Sequence, residues 1–256
     1  SPEDGSMDRS FAARLRRGER LLGTLLSLPS PELAEIAAAA GFDWLWIDME
    51  HGPMGLSETQ RMIQATGEHC APVVRIPEQA EMWLKKALDS GAAGVIVPHI
   101  DSAEQAALAV RWSKYPPTGS RSVGFTRANL YGQRFGGHLE TANTETALIA
   151  QVEHIDGVRN IESISAVSGV AAVLIGPFDL SASLNKTGRF DDPEVRAAIS
   201  RVRDVCVAKG MPLGIYAKDI AVAREALDAG YTLVCVGLDA ALYAAALTDI
   251  VKGVRA

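Results

Sequence analysis

Eight short apolar runs recur along this chain, each followed by a stretch whose apolar residues fall at helical spacing. The runs are Leu21–Ser27, Trp44–Met49, Pro72–Ile76, Gly94–Pro98, Ala147–Glu153, Ala171–Gly176, Pro212–Tyr216 and Leu233–Gly237. They are nearly continuous in hydrophobicity. A strand with one wet face would alternate, so these read as strands covered on both faces, as in a parallel sheet. Between them lie helical patterns such as Pro31–Ala39, Glu78–Asp89, Ser102–Ser113, Pro193–Lys209 and Ile220–Ala229. Gly41, Gly67, Gly91, Gly210 and Gly230 stand where helices would end in the left-handed conformation. Ser57, Ser102 and Asp219 are placed to cap helix starts. The phrases LDSGAAGVIVP (from Leu88) and LDAGYTLVCVG (from Leu227) repeat one helix–glycine–strand junction.

Eight such beats predict an α/β chain closed into a (β/α)8 TIM barrel. An open dinucleotide-binding sheet would want GxGxxG after its first strand, and none stands there. A length of 256 residues suits one barrel domain, expected over 7–256, after SPEDGS at 1–6, which reads as an expression scar. A net charge of −6 with no basic tract argues against nucleic-acid or anionic-membrane partners. Arg14, Arg16, Arg17 and Arg20 are expected to form a solvated helix face. The widely spaced Cys70, Cys206 and Cys235 disfavour a disulfide framework or a zinc site, and a cytoplasmic protein is expected. The Gly-, Pro- and Arg-rich stretch from Lys114 to Thr146 breaks the rhythm and reads as a long loop leaving the face opposite the catalytic rim. Packing against another subunit is its simplest role, and from there Arg121 and Arg127 could reach a neighbour's site.

Four runs end in polar residues unsuited to a core: IDMEH, VVR, QVE and IGPFD. In a parallel barrel all strand ends open onto one catalytic face. Glu153 and Asp179 close adjoining strands five and six. Two unpaired carboxylates there would repel, and a hard divalent cation removes the conflict; a salt-bridged or capping pair is the alternative. His51, beside Asp48 and Glu50, is a candidate general base, with a structural loop histidine as the alternative. Arg75 presents a permanent cation suited to a carboxylate or developing oxyanion, or an ion pair with Asp48, Glu50 or Glu78. His99, Asp101 and His154 read as supporting loop groups, and Trp44 and Trp46 as packing residues.

IDMEHGP, VVRIPE, ALDSGAAGVIVPHIDSAEQA, KYPPTGSRSVG, QVEH and IGPFDLSASL together resemble the HpcH/HpaI family of metal-dependent pyruvate aldolases, from about Phe11 to the C-terminus. That family includes 4-hydroxy-2-oxoheptanedioate and 2-dehydro-3-deoxyglucarate aldolases. The resemblance implies reversible cleavage of 4-hydroxy-2-oxo acids to pyruvate, or a related 2-oxo acid, and an aldehyde through an enolate stabilised by Mg2+ or Mn2+, with Co2+ a further candidate. It implies a homohexamer built as a trimer of dimers, with the C-terminal helix exchanged between subunits. It further implies Glu153 and Asp179 as metal ligands, His51 as base and Arg75 beside the enolate oxygen; Asp48 joins the catalytic group as a carboxylate placed to orient His51. Asp89 would come from an adjacent subunit to raise the basicity of the histidine. Gln151, Gly176, Pro177, Phe178 and Asp179 would line the 2-oxo acid site. Position 178 is commonly Ala or Ser in the family, and the bulky Phe178 changes the pocket's shape. His154 replaces a common Thr.

Two other enzyme readings stand beside it: a lysine-imine aldolase using Lys218, and a lyase acting on acyl-CoA esters, which would want a basic nucleotide groove. A barrel that only senses 2-oxo acids would not need a base.

Overall fold

The structure is a computed structural model that describes residues 10–255; the expected scar at 1–6 lies outside them. Eight strands run β1 Leu21–Leu26, β2 Trp44–Asp48, β3 Ala71–Arg75, β4 Gly94–Val97, β5 Ala147–Val152, β6 Val170–Ile175, β7 Leu213–Ala217 and β8 Leu233–Leu238. Every neighbouring pair is parallel, and β8 pairs with β1 to close the barrel. The helices are α1 Phe11–Arg16, α2 Pro31–Ala39, α3 Leu56–Ala65, α4 Glu81–Asp89, α5 Ala103–Ser113, α6 Phe135–Glu145, α7 Ile155–Arg159, α8 Ile161–Ile164, α9 Pro177–Ser183, α10 Pro193–Ala208, α11 Ile220–Asp228 and α12 Asp239–Arg255.

Two apolar layers explain the uninterrupted hydrophobic runs. Leu21, Trp44, Val73, Ile96, Ile149, Leu174 and Leu233 fill the barrel interior. Their chain neighbours, such as Leu45, Val74, Val95, Ala150 and Val173, pack outward against the helices. Strand side chains alternate between faces, so both layers are apolar only because both faces are covered. The expected glycine caps all take positive φ, from 65° at Gly210 to 97° at Gly41. Ser102 and Asp219 accept the amides of Gln105 and Val222 at 3.3 and 2.9 Å. Ser57 does not cap: α3 starts one residue earlier, at Leu56, with Gly55 as its N-cap.

Two sequence expectations need correction. The Lys114–Thr146 stretch is not a bare loop, because it contains α6 and a short 3-10 turn at Arg127–Asn129. In the arginine cluster near the start, Arg16, Arg17 and Arg20 are exposed as expected, whereas Arg14 is half-buried. Helix α1 plugs one end of the barrel with Phe11, Ala12 and Leu15, and Arg14 bridges Glu19 and Asp43 at 2.8 and 2.7 Å.

Candidate active site at the barrel rim

Strand alternation selects what reaches the mouth of the barrel. Trp44 and Trp46 point inward, so Asp48, two residues on, points inward as well. Val73 and Arg75 share the same parity, as do Ile149, Gln151 and Glu153. Register then matches the levels: Asp48 pairs with Arg75 across β2 and β3, and Val152 pairs with Ile175 across β5 and β6.

Arg75 is the best-anchored group. Its Nε and Nη2 donate to the two oxygens of Asp48 at 2.8 and 2.6 Å. Nη1 lies 3.0 Å from Glu50 Oε2 as an ion pair without hydrogen-bond geometry. The guanidinium stacks over Trp46, 4.8 Å from the ring centroid. Burial works against the charge, but hydrogen bonding and attraction from Asp48, then Glu50 and Glu153, outweigh it and hold Arg75 above its ordinary value. Asp48 also accepts the backbone amides of Glu50 and His51 at 3.1 and 3.4 Å, which ties the post-strand turn to the same carboxylate.

Glu153 forms the acidic corner. Its Oε1 accepts the His99 amide at 2.8 Å and its Oε2 accepts Gln151 Nε2. His99 itself has φ 54°, a left-handed conformation costly for a non-glycine residue. Burial pushes Glu153 up to about 8, against the His99 hydrogen bond, and the charges of Glu50 and Asp179 push the same way. Ligand atoms of Glu50, His99 and Glu153 lie within 4.8 Å of one another, a set able to hold a metal ion. Gly176 makes room for this corner: a Cβ there would stand 2.7 Å from Glu153 Oε2 and 2.9 Å from Gln151 Nε2. Gln151 Oε1 is buried with no partner. Asp179, in the first turn of α9, is exposed.

A cavity of about 530 Å³ opens beside these groups, and its lining includes Asp48, His51, Arg75, Gln151, Gly176 and Asp179. Residues 22–246 match the HpcH/HpaI aldolase/citrate lyase family. The chain belongs to that family. It is 40% identical to the hydroxypyruvate/pyruvate aldolase of Cupriavidus necator, over 96% of this chain and 92% of that protein. It is 39% identical to the 2-keto-3-deoxy-L-rhamnonate aldolase of Klebsiella pneumoniae, over 94% and 91% of the two chains. The crystal structure of an HpcH/HpaI aldolase/citrate lyase family protein from Burkholderia cenocepacia superposes with a TM-score of 0.92, at 39% identity, over 96% of this chain and 98% of that one.

In this HpcH/HpaI chain the remaining sequence candidates take distinct places. The His51 imidazole is exposed, and its Nε2 is 3.8 Å from Glu50 Oε2. Asp48 reaches only the backbone of His51, having given its carboxylate to Arg75. Asp89 ends α4, at the helix end that leads into the start of β4, and pairs with Arg121 Nη2 at 2.7 Å. Arg127 binds the Ser90 carbonyl at 3.0 Å. Pro177 and Phe178 line the cavity at the start of α9, and Lys218 borders it as an exposed side chain. His154 caps α7, its Nδ1 accepting the Asp156 amide at 3.2 Å. His99, expected as a supporting group, and Glu50, expected beside His51 or as an ion-pair partner of Arg75, both join the cluster around Glu153. The place of Glu50 inside IDMEH and the position of His99 directly after the fourth apolar run were the available signals.

Proposed function

We propose that this chain is a metal-dependent aldolase that reversibly cleaves 4-hydroxy-2-oxo acids into pyruvate, or a related 2-oxo acid, and an aldehyde. The supporting observation is the convergence of a doubly anchored Arg75 with Gln151, Asp179 and His51 around one cavity, next to the buried carboxyl of Glu153. The relatives' names as pyruvate and deoxy-sugar-acid aldolases point the same way.

The acidic corner fits a divalent cation. Glu153 and Asp179 offer hard oxygen donors, with Glu50 and His99 at hand, and a buried carboxyl held protonated up to about 8 is one that a cation would ionise. Mg2+ or Mn2+ suits such donors best, with Co2+ a further candidate. When bound, the cation supplies Lewis acidity that lowers the cost of taking a proton beside the keto group.

Arg75 offers a fixed positive charge to the oxygen that becomes negative as the carbon–carbon bond breaks. Asp48 and Glu50 keep that guanidinium charged and in plane. Gln151 steers Glu153 through its amide and leaves its own carbonyl free. His51 takes the proton of the 4-hydroxyl, directly or through water, and returns it in synthesis. Asp89 of a neighbouring subunit is the further carboxylate assigned to His51. Lys218 lies open to solvent beside Asp219, which caps α11, so it lacks the apolar enclosure or neighbouring cation that activates imine-forming lysines.

Helix α12 supports subunit exchange. Tyr243, Leu247, Ile250, Val251 and Val254 form one stripe at helical spacing, and all are exposed. An apolar stripe held off its own barrel is what a partner's barrel would bury, in keeping with a hexamer of paired subunits. No helix among the described residues is long and apolar enough to cross a membrane; a cytoplasmic location is part of this proposal.

The deciding experiment follows deuterium uptake from solvent into the pyruvate methyl group. Chelator-treated protein should lose exchange and regain it with Mn2+ or Mg2+. Exchange that ignores chelation, with pyruvate trapped on Lys218 by borohydride, would replace this reading with the imine route.

A further inference from the structure

The cavity beside Arg75 has a larger neighbour. A second cavity of about 810 Å³ lies outside it, bounded by the 188–193 segment and by residues of α10 and α11. The two share four lining residues, Pro177, Phe178, Tyr216 and Lys218. Phe178 is the largest apolar group on this shared border, and it remains half exposed. Its ring meets Phe190 edge to face, with centroids 4.8 Å apart and planes at 88°.

Phe190 stands on a braced loop. Lys186 Nζ bridges Asp192 and Glu194 at 2.7 Å each. Gly188 N donates to the hydroxyl of buried Ser181 at 2.9 Å, and Lys186 N donates to the Ser181 carbonyl at 2.8 Å. Positive φ at Asn185 and Gly188, 59° and 73°, folds this segment back toward α9. The pair therefore joins a helix whose next residue is Asp179 to a loop with its own network of bonds.

The geometry points to Phe178, backed by Phe190, as the wall that ends the acceptor side of the reaction cavity, so that the enzyme admits short aldehydes and excludes long apolar ones. The argument rests on the aldolase reading. The cation of Arg75 and the amide of Gln151 suit the anionic 2-oxo acid, which leaves the apolar lining of Pro177, Phe178, Tyr216 and Leu238 to the aldehyde's substituent. A long substituent would need the outer chamber, and the Phe178 ring stands on the way into it. Phe178 acts directly on the acceptor, whereas Phe190 is a positioning residue that acts through it.

The test compares kcat/KM for propanal and hexanal with pyruvate and Mn2+. The wild type should favour propanal by about 100-fold, the scale on which a fitted apolar pocket discriminates against added methylenes. Phe178→Ala should narrow that ratio by at least about tenfold, and Phe190→Ala should narrow it in the same direction by freeing the Phe178 ring. A wild type that uses both aldehydes about equally overturns the wall without any variant. So does an unmoved ratio in Phe178→Ala. Deuterium uptake into pyruvate separates the two ideas: exchange with an unmoved ratio sinks the wall alone, whereas no exchange in metal-loaded wild type sinks the aldolase reading.

Discussion

Arg75 and Asp48 form a two-pronged ion pair, at 2.8 and 2.6 Å, between side chains that are both almost completely buried. Register alone brings them level, because the two residues face each other across β2 and β3. Removing Arg75 leaves Asp48 as a buried charge with no cation beside it, and removing Asp48 leaves Arg75 with only the weaker contact to Glu50.

Asp48→Asn should therefore cost about 3–5 kcal/mol of stability, read as a fall in melting temperature of roughly 6–20 °C for a chain of this size. Arg75→Ala should slow pyruvate methyl exchange by about 100-fold or more while Mn2+ still binds. Unchanged exchange in that variant would remove Arg75 from the chemistry.

Metal affinity should rise with pH. Glu153 holds its proton up to about 8, so below that value a cation must displace it, and affinity should gain about tenfold per pH unit before levelling off. Stability of the metal-free protein should run the other way. A carboxyl whose folded-state value is raised binds its proton more tightly folded than unfolded, so its contribution is greatest below the ordinary carboxylate range and is lost as pH climbs to about 8. Mn2+ titrations by calorimetry and melts across that range check both slopes, and a pH-independent affinity would contradict the assignment of Glu153.

Gly176→Ala should impair the site while sparing the barrel. Its φ of −96° is open to any residue, so the damage would come from the new Cβ pressing on Glu153 Oε2 and Gln151 Nε2. We expect Mn2+ affinity to fall by about tenfold or more, the loss typical when a group that orients a metal ligand is disturbed, with an unchanged far-ultraviolet circular dichroism spectrum.

Arg121→Met tests the far end of α4. Arg121 is fully buried, pairs with Asp89 and stacks 4.4 Å from the Tyr115 ring centroid. Its loss should destabilise the protein by about 3–5 kcal/mol. Because Asp89 is also assigned to a neighbour's His51, the variant should also shift the pH profile of turnover. A lower melting temperature with an unmoved profile would confine Asp89 to a structural role.

Leu247→Glu places a charge in the exposed stripe of α12. Light scattering should show a smaller assembly than the wild type, and an unaltered mass would contradict exchange of this helix.

Much of this molecule could be read from the chain. The eight covered strands were legible because a strand packed on both faces is apolar at nearly every position, and the runs are too short for buried helices. All eight run within a residue or two of where the pattern put them. The glycine stops were legible too, since few other residues tolerate positive φ at a helix end. Helix α6 was not, because its glycines and threonines are poor helix formers that tertiary contacts override.

The site divides in the same way. Polar residues at strand ends, and the period of two that turns Asp48, Arg75, Gln151 and Glu153 inward, are properties of the sequence. Which of them touch is a matter of register and loop geometry. The structure gives Asp48 to Arg75 and not to the His51 ring, and it brings the His99 amide onto Glu153. It also sets Phe190, twelve residues beyond Phe178, against its ring. A side chain's facing is decided by its nearest neighbours along the strand, so the chain alone declares it. Contact between distant segments depends on how the barrel closes and how each loop folds back, and only the completed fold decides that.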